Sequence, residues 1–181
     1  AEPLMVEALA TMQKTLGPDH PDTASGFDNL GELYKTLGKY AAAESHYLDG
    51  LVIRKRVLGP GHLDVALSLN NLAVLYQGKN DSRALEMAKR AYGLAPASPA
   101  LQDTYGWLLV ETGSLDEGLA LLRDAVRRMP GNGEVQYHYA AALAKNGNTA
   151  EALEVLDNAL SGQLPPAAKA DAQRLREQLA K

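Results

Sequence analysis

Much of the stretch from residue 17 to residue 34 recurs further along the chain at a fixed distance. Asp22 and Asp64, Leu30 and Leu72, Tyr34 and Tyr76, and the dipeptides Gly17-Pro18 and Gly59-Pro60 each stand 42 residues apart, and His20 and His62 keep the same spacing. Self-similarity at a period of a few tens of residues marks an array whose units each bury only part of an apolar face and need neighbours. The chain is therefore expected to fold as stacked supersecondary units around one continuous core.

Within each unit the apolar spacing is helical. Phe27, Leu30, Leu33, Tyr34 and Leu37 recur at intervals of three and four, after a Gly-Pro-containing turn from which Asp22 or Thr23 is expected to cap the helix. Gly38 ends that helix, and a second one from about Tyr40 carries Ala43, Tyr47, Leu51 and Leu58 along one side until Gly59-Pro60 stops it. Two helices joined by a short turn make an antiparallel hairpin. Ala1–Leu16 matches Ala43–Leu58 at the same 42-residue shift, which reads as the second helix of a partial repeat.

After Tyr76 the register changes. Tyr76 to Ala84 is 8 places where Tyr34 to Ala43 is 9, and from Ala84 onward the period is 34: Ala84, Gly118, Ala152; Ala91, Ala125, Ala159; Pro96, Pro130. The lost residue is expected in the hairpin turn, with a change of superhelical pitch there. Hairpins are placed at 22–58, 64–95, 98–129 and 132–161, with Gly113 and Gly147 ending their first helices. Pro165-Pro166 opens a final amphipathic helix, 165–181, whose stripe of Ala168, Ala172, Leu175 and Leu179 is suited to capping the array.

The series Phe27-x2-Leu30-Gly31-x2-Tyr34, followed by Ala43-x3-Tyr47, resembles the tetratricopeptide repeat, with small residues where the two helices approach and large ones filling the space between them. Residues 1–77, with TLGPDHPD at 15–22 and VLGPGHLD at 57–64, are similar to the 42-residue kinesin-light-chain type. Residues 70–161, with NNLAVLYQ, DTYGW and YHYAAALAKNGN, resemble the tetratricopeptide lipoproteins of bacterial exosortase-linked sorting systems. The resemblance implies an all-α, right-handed superhelix of helix hairpins. The cytoplasm is the default location, and the second likeness implies an envelope one.

Composition narrows the function classes. A net charge of −4 lacks the basic face that displaces counterions from nucleic-acid phosphates. Cysteine is absent, which removes a disulfide framework, a thiolate zinc site and a cysteine nucleophile. No apolar run reaches the roughly 18 residues of a membrane span. His20 and His62 lie one repeat apart in equivalent turns without third and fourth ligands nearby, so neither a metal nor another cofactor is expected. His46 is assigned to a solvated helix face, and Arg54-Lys55-Arg56 and Arg127-Arg128 to solvated helix ends, where positive charge complements the helix dipole. No nucleophile has a base at a recognisable spacing, so no catalytic residue is assigned.

In hairpins of this kind the first helix of each pair lines the concave wall, and its outward stripe is what a partner can touch. The candidate partner-binding residues are therefore Asp28, Asn29, Glu32 and Lys35, then Asn70 and Asn71, then Asp103, Trp107 and Glu111, then Tyr137 and His138. Asn29, Asn70 and Asn71 suit an extended peptide backbone. Trp107, the only tryptophan, with Tyr137 and His138 beside it, suits an apolar anchor. On these stripes Asp28, Glu32, Asp103, Glu111 and Glu134 outnumber Lys35 and Lys145, which favours a basic or apolar protein or peptide over an acidic one. The reading is a non-catalytic interaction scaffold. Its alternatives are a self-assembling structural module, docked through an exposed terminal repeat, and the regulatory segment of a larger or chimeric protein.

Overall fold

The computed structural model describes residues 2–181, and among these there are ten helices and no strand. They divide between two compact units, residues 1–95 and residues 96–181. The first holds α1 (Glu2–Thr15), α2 (Pro21–Thr36), α3 (Tyr40–Leu58), α4 (Leu63–Gly78) and α5 (Arg83–Leu94). The second holds α6 (Pro99–Glu111), α7 (Leu115–Arg128), α8 (Gly133–Lys145), α9 (Thr149–Ser161) and α10 (Pro166–Leu179). Helices α2/α3, α4/α5, α6/α7 and α8/α9 pack as hairpins, α1 lies on α2, and α10 covers α8 and α9.

In the first unit the repeat pattern works as a packing code. Ala43 and Tyr47 of α3 are fully buried, and a Cβ added to Gly31 of α2 would stand 2.7 Å from the Tyr47 ring. Gly31 thus lets the helices close over an aromatic residue that any larger side chain would displace. Gly26 does the same for Leu9 and Met12 of α1, whose side-chain atoms lie 3.0 and 3.2 Å from its added Cβ. In the second unit Gly118 faces Gly106 so closely that a Cβ there would meet the Gly106 carbonyl at 2.5 Å. Val110, Leu119, Leu122, Tyr139, Ala142, Leu143 and Ala152 form the core beside that crossing, and Ala140, Leu156 and Ala172 extend it under α10.

The helix starts differ from expectation. His20, not Asp22 or Thr23, caps α2: its Nδ1 accepts the Asp22 amide at 3.1 Å, and Pro21 occupies the first helical position, where its fixed φ and missing N–H fit. His62 caps α4 in the same way through the Asp64 amide at 3.1 Å. Thr23 is buried instead, donating its hydroxyl to the Gly17 carbonyl at 2.8 Å.

The 8-residue spacing also resolves differently. The amide five places past the last aligned residue bonds back to it in every hairpin: Lys39 to Tyr34 (2.8 Å), Asp81 to Tyr76 (2.9 Å), Ser114 to Leu109 (2.8 Å) and Asn148 to Leu143 (2.9 Å). The turn therefore keeps its length. The deletion is taken up in the first turn of α5, where the Ala84 amide bonds three residues back to Asp81 at 3.0 Å, while Ala43, Gly118 and Ala152 bond four back. Gly38, Gly113 and Gly147 supply the left-handed residue of the other three turns; here Asn80, with φ 53, takes that place.

Candidate functional site

In the second unit, α6, α8 and α10 line an open groove of about 490 Å³. Trp107 forms its α6 side; Tyr137, Ala141, Ala144 and Lys145 come from α8; Asp171, Arg174, Leu175, Gln178 and Leu179 come from α10. Helical spacing produces the α8 wall, since residues 137, 141, 144 and 145 fall on one face. Trp107 is half-buried, its inner part resting on the core that contains Val110, Tyr139 and Leu143. The His138 imidazole stacks on its indole at 4.8 Å and 10°, Tyr137 tilts toward it at 6.3 Å, and the Lys145 ammonium lies 5.5 Å from the ring.

Beneath the stack, His138 Nδ1 lies 3.0 Å from both carboxylate oxygens of Asp103, which is only 8% exposed. Burial pulls the imidazolium pKa down, but the Asp103 charge and hydrogen bond, helped by Glu134 and Glu111, leave it above the ordinary histidine value. Asp103 is thus the support that fixes the ring on which Trp107 lies.

In the first unit a groove of about 360 Å³ is lined by Ser25, Asp28 and Asn29 of α2, Arg54 of α3, and Asp64, Leu67 and Asn71 of α4. Its floor is a buried polar cluster. The Arg54 guanidinium, with the side chain 9% exposed, pairs with Asp28 and donates to Ser68 Oγ at 2.7 Å and Ser25 Oγ at 3.3 Å. Burial raises the Asp28 pKa, with Arg54 opposing it, and Asp28 Oδ1 is buried with no hydrogen-bond partner.

These placements revise several residue readings. Arg54 is a buried cross-link of three helices, not a solvated helix end. His46 is half-buried against Phe27 and Tyr34, at 5.9 and 5.2 Å between ring centroids, and its Nδ1 is buried without a partner. Asn29 and Asn71 line the first groove, whereas Asn70 has its side-chain oxygen buried. Glu32 accepts from Lys35 and from the Tyr47 hydroxyl, each at 2.8 Å, and Glu111 is exposed near the His138 end. Asp28 pairs with Arg54 and Asp103 with His138, two partners left out of the stripe count, whereas the Glu32–Lys35 pair was already in it, so two of the five acidic groups are met within the protein.

The α10 residues of the second groove, and Arg54, escaped the sequence reading. A final helix identified as a cap gives no sign that it also forms a wall. Also missed was a repeated brace. Tyr34 Oη donates to Glu2 at 3.2 Å with Lys39 at 2.9 Å, and Tyr76 Oη donates to Glu44 at 2.9 Å with Lys79 at 3.1 Å and Arg83 at 2.8 Å. The alignment of Glu2 on Glu44 at the 42-residue shift carried that signal. Among the described residues no three His, Asp or Glu side chains gather where they could hold a metal, and no helix is long and apolar enough to cross a membrane.

A family model for the tetratricopeptide repeat matches residues 1–55 and 37–97, and a second of the same description matches residues 109–179. No curated protein matches the chain in sequence. Solved structures with a similar fold include YrrB, described as a tetratricopeptide repeat protein with an unusual peptide-binding site, at 23% identity and TM-score 0.61 over 94% of this chain and 84% of that one. Kinesin light chain tetratricopeptide-like repeats from Podosopora anserina match at 22% identity and TM-score 0.64 over 94% of this chain and 86% of theirs. At these identities the likeness is one of fold. With helix hairpins in both compact units and the repeat pattern matched over most of its length, the protein belongs to the tetratricopeptide repeat family.

Proposed function

We propose that the protein binds an extended peptide or protein segment without doing chemistry on it, and that the groove of α6, α8 and α10 is the principal binding surface. Tetratricopeptide repeats generally mediate protein–protein interaction, and proteins built from them are generally non-catalytic scaffolds. The observation that carries the reading is the Trp107–His138 stack at the edge of the 490 Å³ groove. A rigid aromatic plane beside apolar Ala141, Ala144, Leu175 and Leu179 gives a ligand side chain a flat, partly desolvated seat at low entropic cost. Asn29 and Asn71 in the first unit offer amides to a peptide backbone in a second, more polar groove. YrrB, with a peptide-binding site, supports the class of ligand.

Because Trp107 is the only tryptophan, its fluorescence reports the groove directly. Peptides selected from a random library on the immobilised protein should shift that emission, and selection on Trp107→Ala should lose them. Selected peptides that bind both proteins equally would refute the assignment of this groove.

A further inference from the structure

The groove of the first unit holds a negative charge that the protein does not answer. Ser25, Asp28 and Asn29 fall on one face of α2, and Asp64, Leu67 and Asn71 on one face of α4, at the spacings of three and four that a helix brings together. Arg54 of α3 joins them in the lining. With two carboxylates and one guanidinium, the lining is net negative by one charge.

Arg54 does not make this a site for anions. Its Nη1 hydrogens go to Asp28 and Ser68 Oγ, an Nη2 hydrogen goes to Ser25 Oγ, and the side chain is only 9% exposed. A ligand carboxylate would meet a guanidinium that is already paired, with two like charges beside it.

Asp64 carries the charge left over. Among the described residues the one cationic candidate near it is His62, whose Nδ1 lies 3.8 Å from the carboxylate. That nitrogen accepts the Asp64 amide at 3.1 Å, so it presents a lone pair and not a proton. The Asp64 side chain is 42% exposed. Burial raises the Asp28 pKa, Arg54 opposes the rise, and the Asp64 charge adds to it, so the two carboxylates act on the same space. Around them Leu67 is 41% exposed, Asn29 is exposed and Asn71 half-buried, and among the described residues neither side-chain amide is bonded within the protein.

We infer that this groove takes a basic side chain, lysine or arginine, of an extended peptide, with its cation at Asp64, its aliphatic stem along Leu67 and the adjoining peptide groups bonded by Asn29 and Asn71. The inference rests on the reading of the protein as a peptide binder and adds the chemistry of one ligand residue. Long basic side chains suit a site built this way, because the stem covers apolar surface while the charged head stays among polar groups.

The test titrates the whole, isotope-labelled protein with acetyl-Ala-Ala-Lys-Ala-Ala-amide and with its norleucine and glutamate counterparts, followed by two-dimensional NMR. The lysine peptide should shift the side-chain amide signals of Asn29 and Asn71 saturably, and the norleucine peptide should bind about fivefold more weakly, the upper range for a partly exposed ion pair. The glutamate peptide should bind more weakly still. Asp64→Asn should bring the lysine peptide to the norleucine affinity, and Asn71→Ala, the second variant, should weaken all three. Dispersed spectra verify that both variants stay folded. No saturable shift, equal affinity for the three peptides, a preference for glutamate, a lysine preference that survives Asp64→Asn, or affinities unmoved by Asn71→Ala would overturn the proposal. These peptides have no apolar anchor, so such a failure leaves the Trp107 groove and its peptide selection standing, whereas failure of that selection bears on the Trp107 groove alone.

Discussion

His138 and Trp107 stand on different helices, yet their rings lie nearly parallel, 4.8 Å apart and 10° from coplanar, with Asp103 holding the imidazole from beneath. The aromatic side of the second groove rests on that arrangement: the indole packs on the imidazole, and the imidazole bonds a buried carboxylate.

The first prediction is a pH dependence of stability. Since the folded pKa of His138 is raised, the protonated ring favours the folded state. This contribution is present in full below the unfolded value of about 6.5 and is lost as pH climbs through the raised folded value. Urea denaturation from about pH 6 to about pH 8 should show the wild type losing more stability than His138→Gln. Parallel curves for the two proteins would show that the Asp103–His138 pair does not carry the effect.

Trp107→Ala should separate binding from folding. The indole is half-buried, so its loss should cost less stability than the about 3–5 kcal/mol of a fully buried aromatic truncation. Affinity for a groove ligand should fall by about 2 kcal/mol or more. Calorimetric titration with thermal melts gives both numbers, and a large loss of stability with unchanged affinity would place Trp107 in a purely structural role.

Gly31→Ala tests the packing code. Its Cβ would stand 2.7 Å from the Tyr47 ring, so α2 and α3 must separate or the ring must move, at a cost of about 1–3 kcal/mol. At the aligned positions the second hairpin has Ala73 and Ala88, both fully buried. Combining Gly31→Ala with Tyr47→Ala should therefore cost less than the two single changes added together, which a double-mutant cycle measures.

Arg54→Met should cost about 3–5 kcal/mol, because Asp28 is left buried without its cation. Adding Asp28→Asn should recover part of that loss, since burial already disfavours the carboxylate. Chemical denaturation of both variants checks the order, and a double variant no more stable than Arg54→Met would show that the unpaired charge is not the source.

Helix type, hairpin pairing and the close approach at Gly31 were legible in the spacing of residues along the chain, and Gly118 was legible only as a repeat position. Each follows from a 3.6-residue period and a steric requirement that acts between the two helices of one hairpin. The cap at His20 was missed because Asp22 and Thr23 are the commoner capping residues, and the first helical position taken by Pro21 shifts the cap forward. The 8-residue spacing was visible, but its place was not: only the backbone bond from Ala84 to Asp81 shows that α5 winds tightly while the turn stays whole.

Periodicity by itself determined that this chain is a set of helix hairpins, which helix faces pack, and that Trp107 falls on the stripe with Tyr137 and His138 in the next repeat; the resemblance of its motif residues added the tetratricopeptide type. Tertiary structure alone decided which charges remain available. Asp103 and His138 are 35 residues apart and Arg54 meets Asp28 and Ser68 from a third helix, so those neutralisations depend on how helices cross. The crossing is set by the volumes of all the side chains between them, a many-body quantity that no one-dimensional repeat encodes.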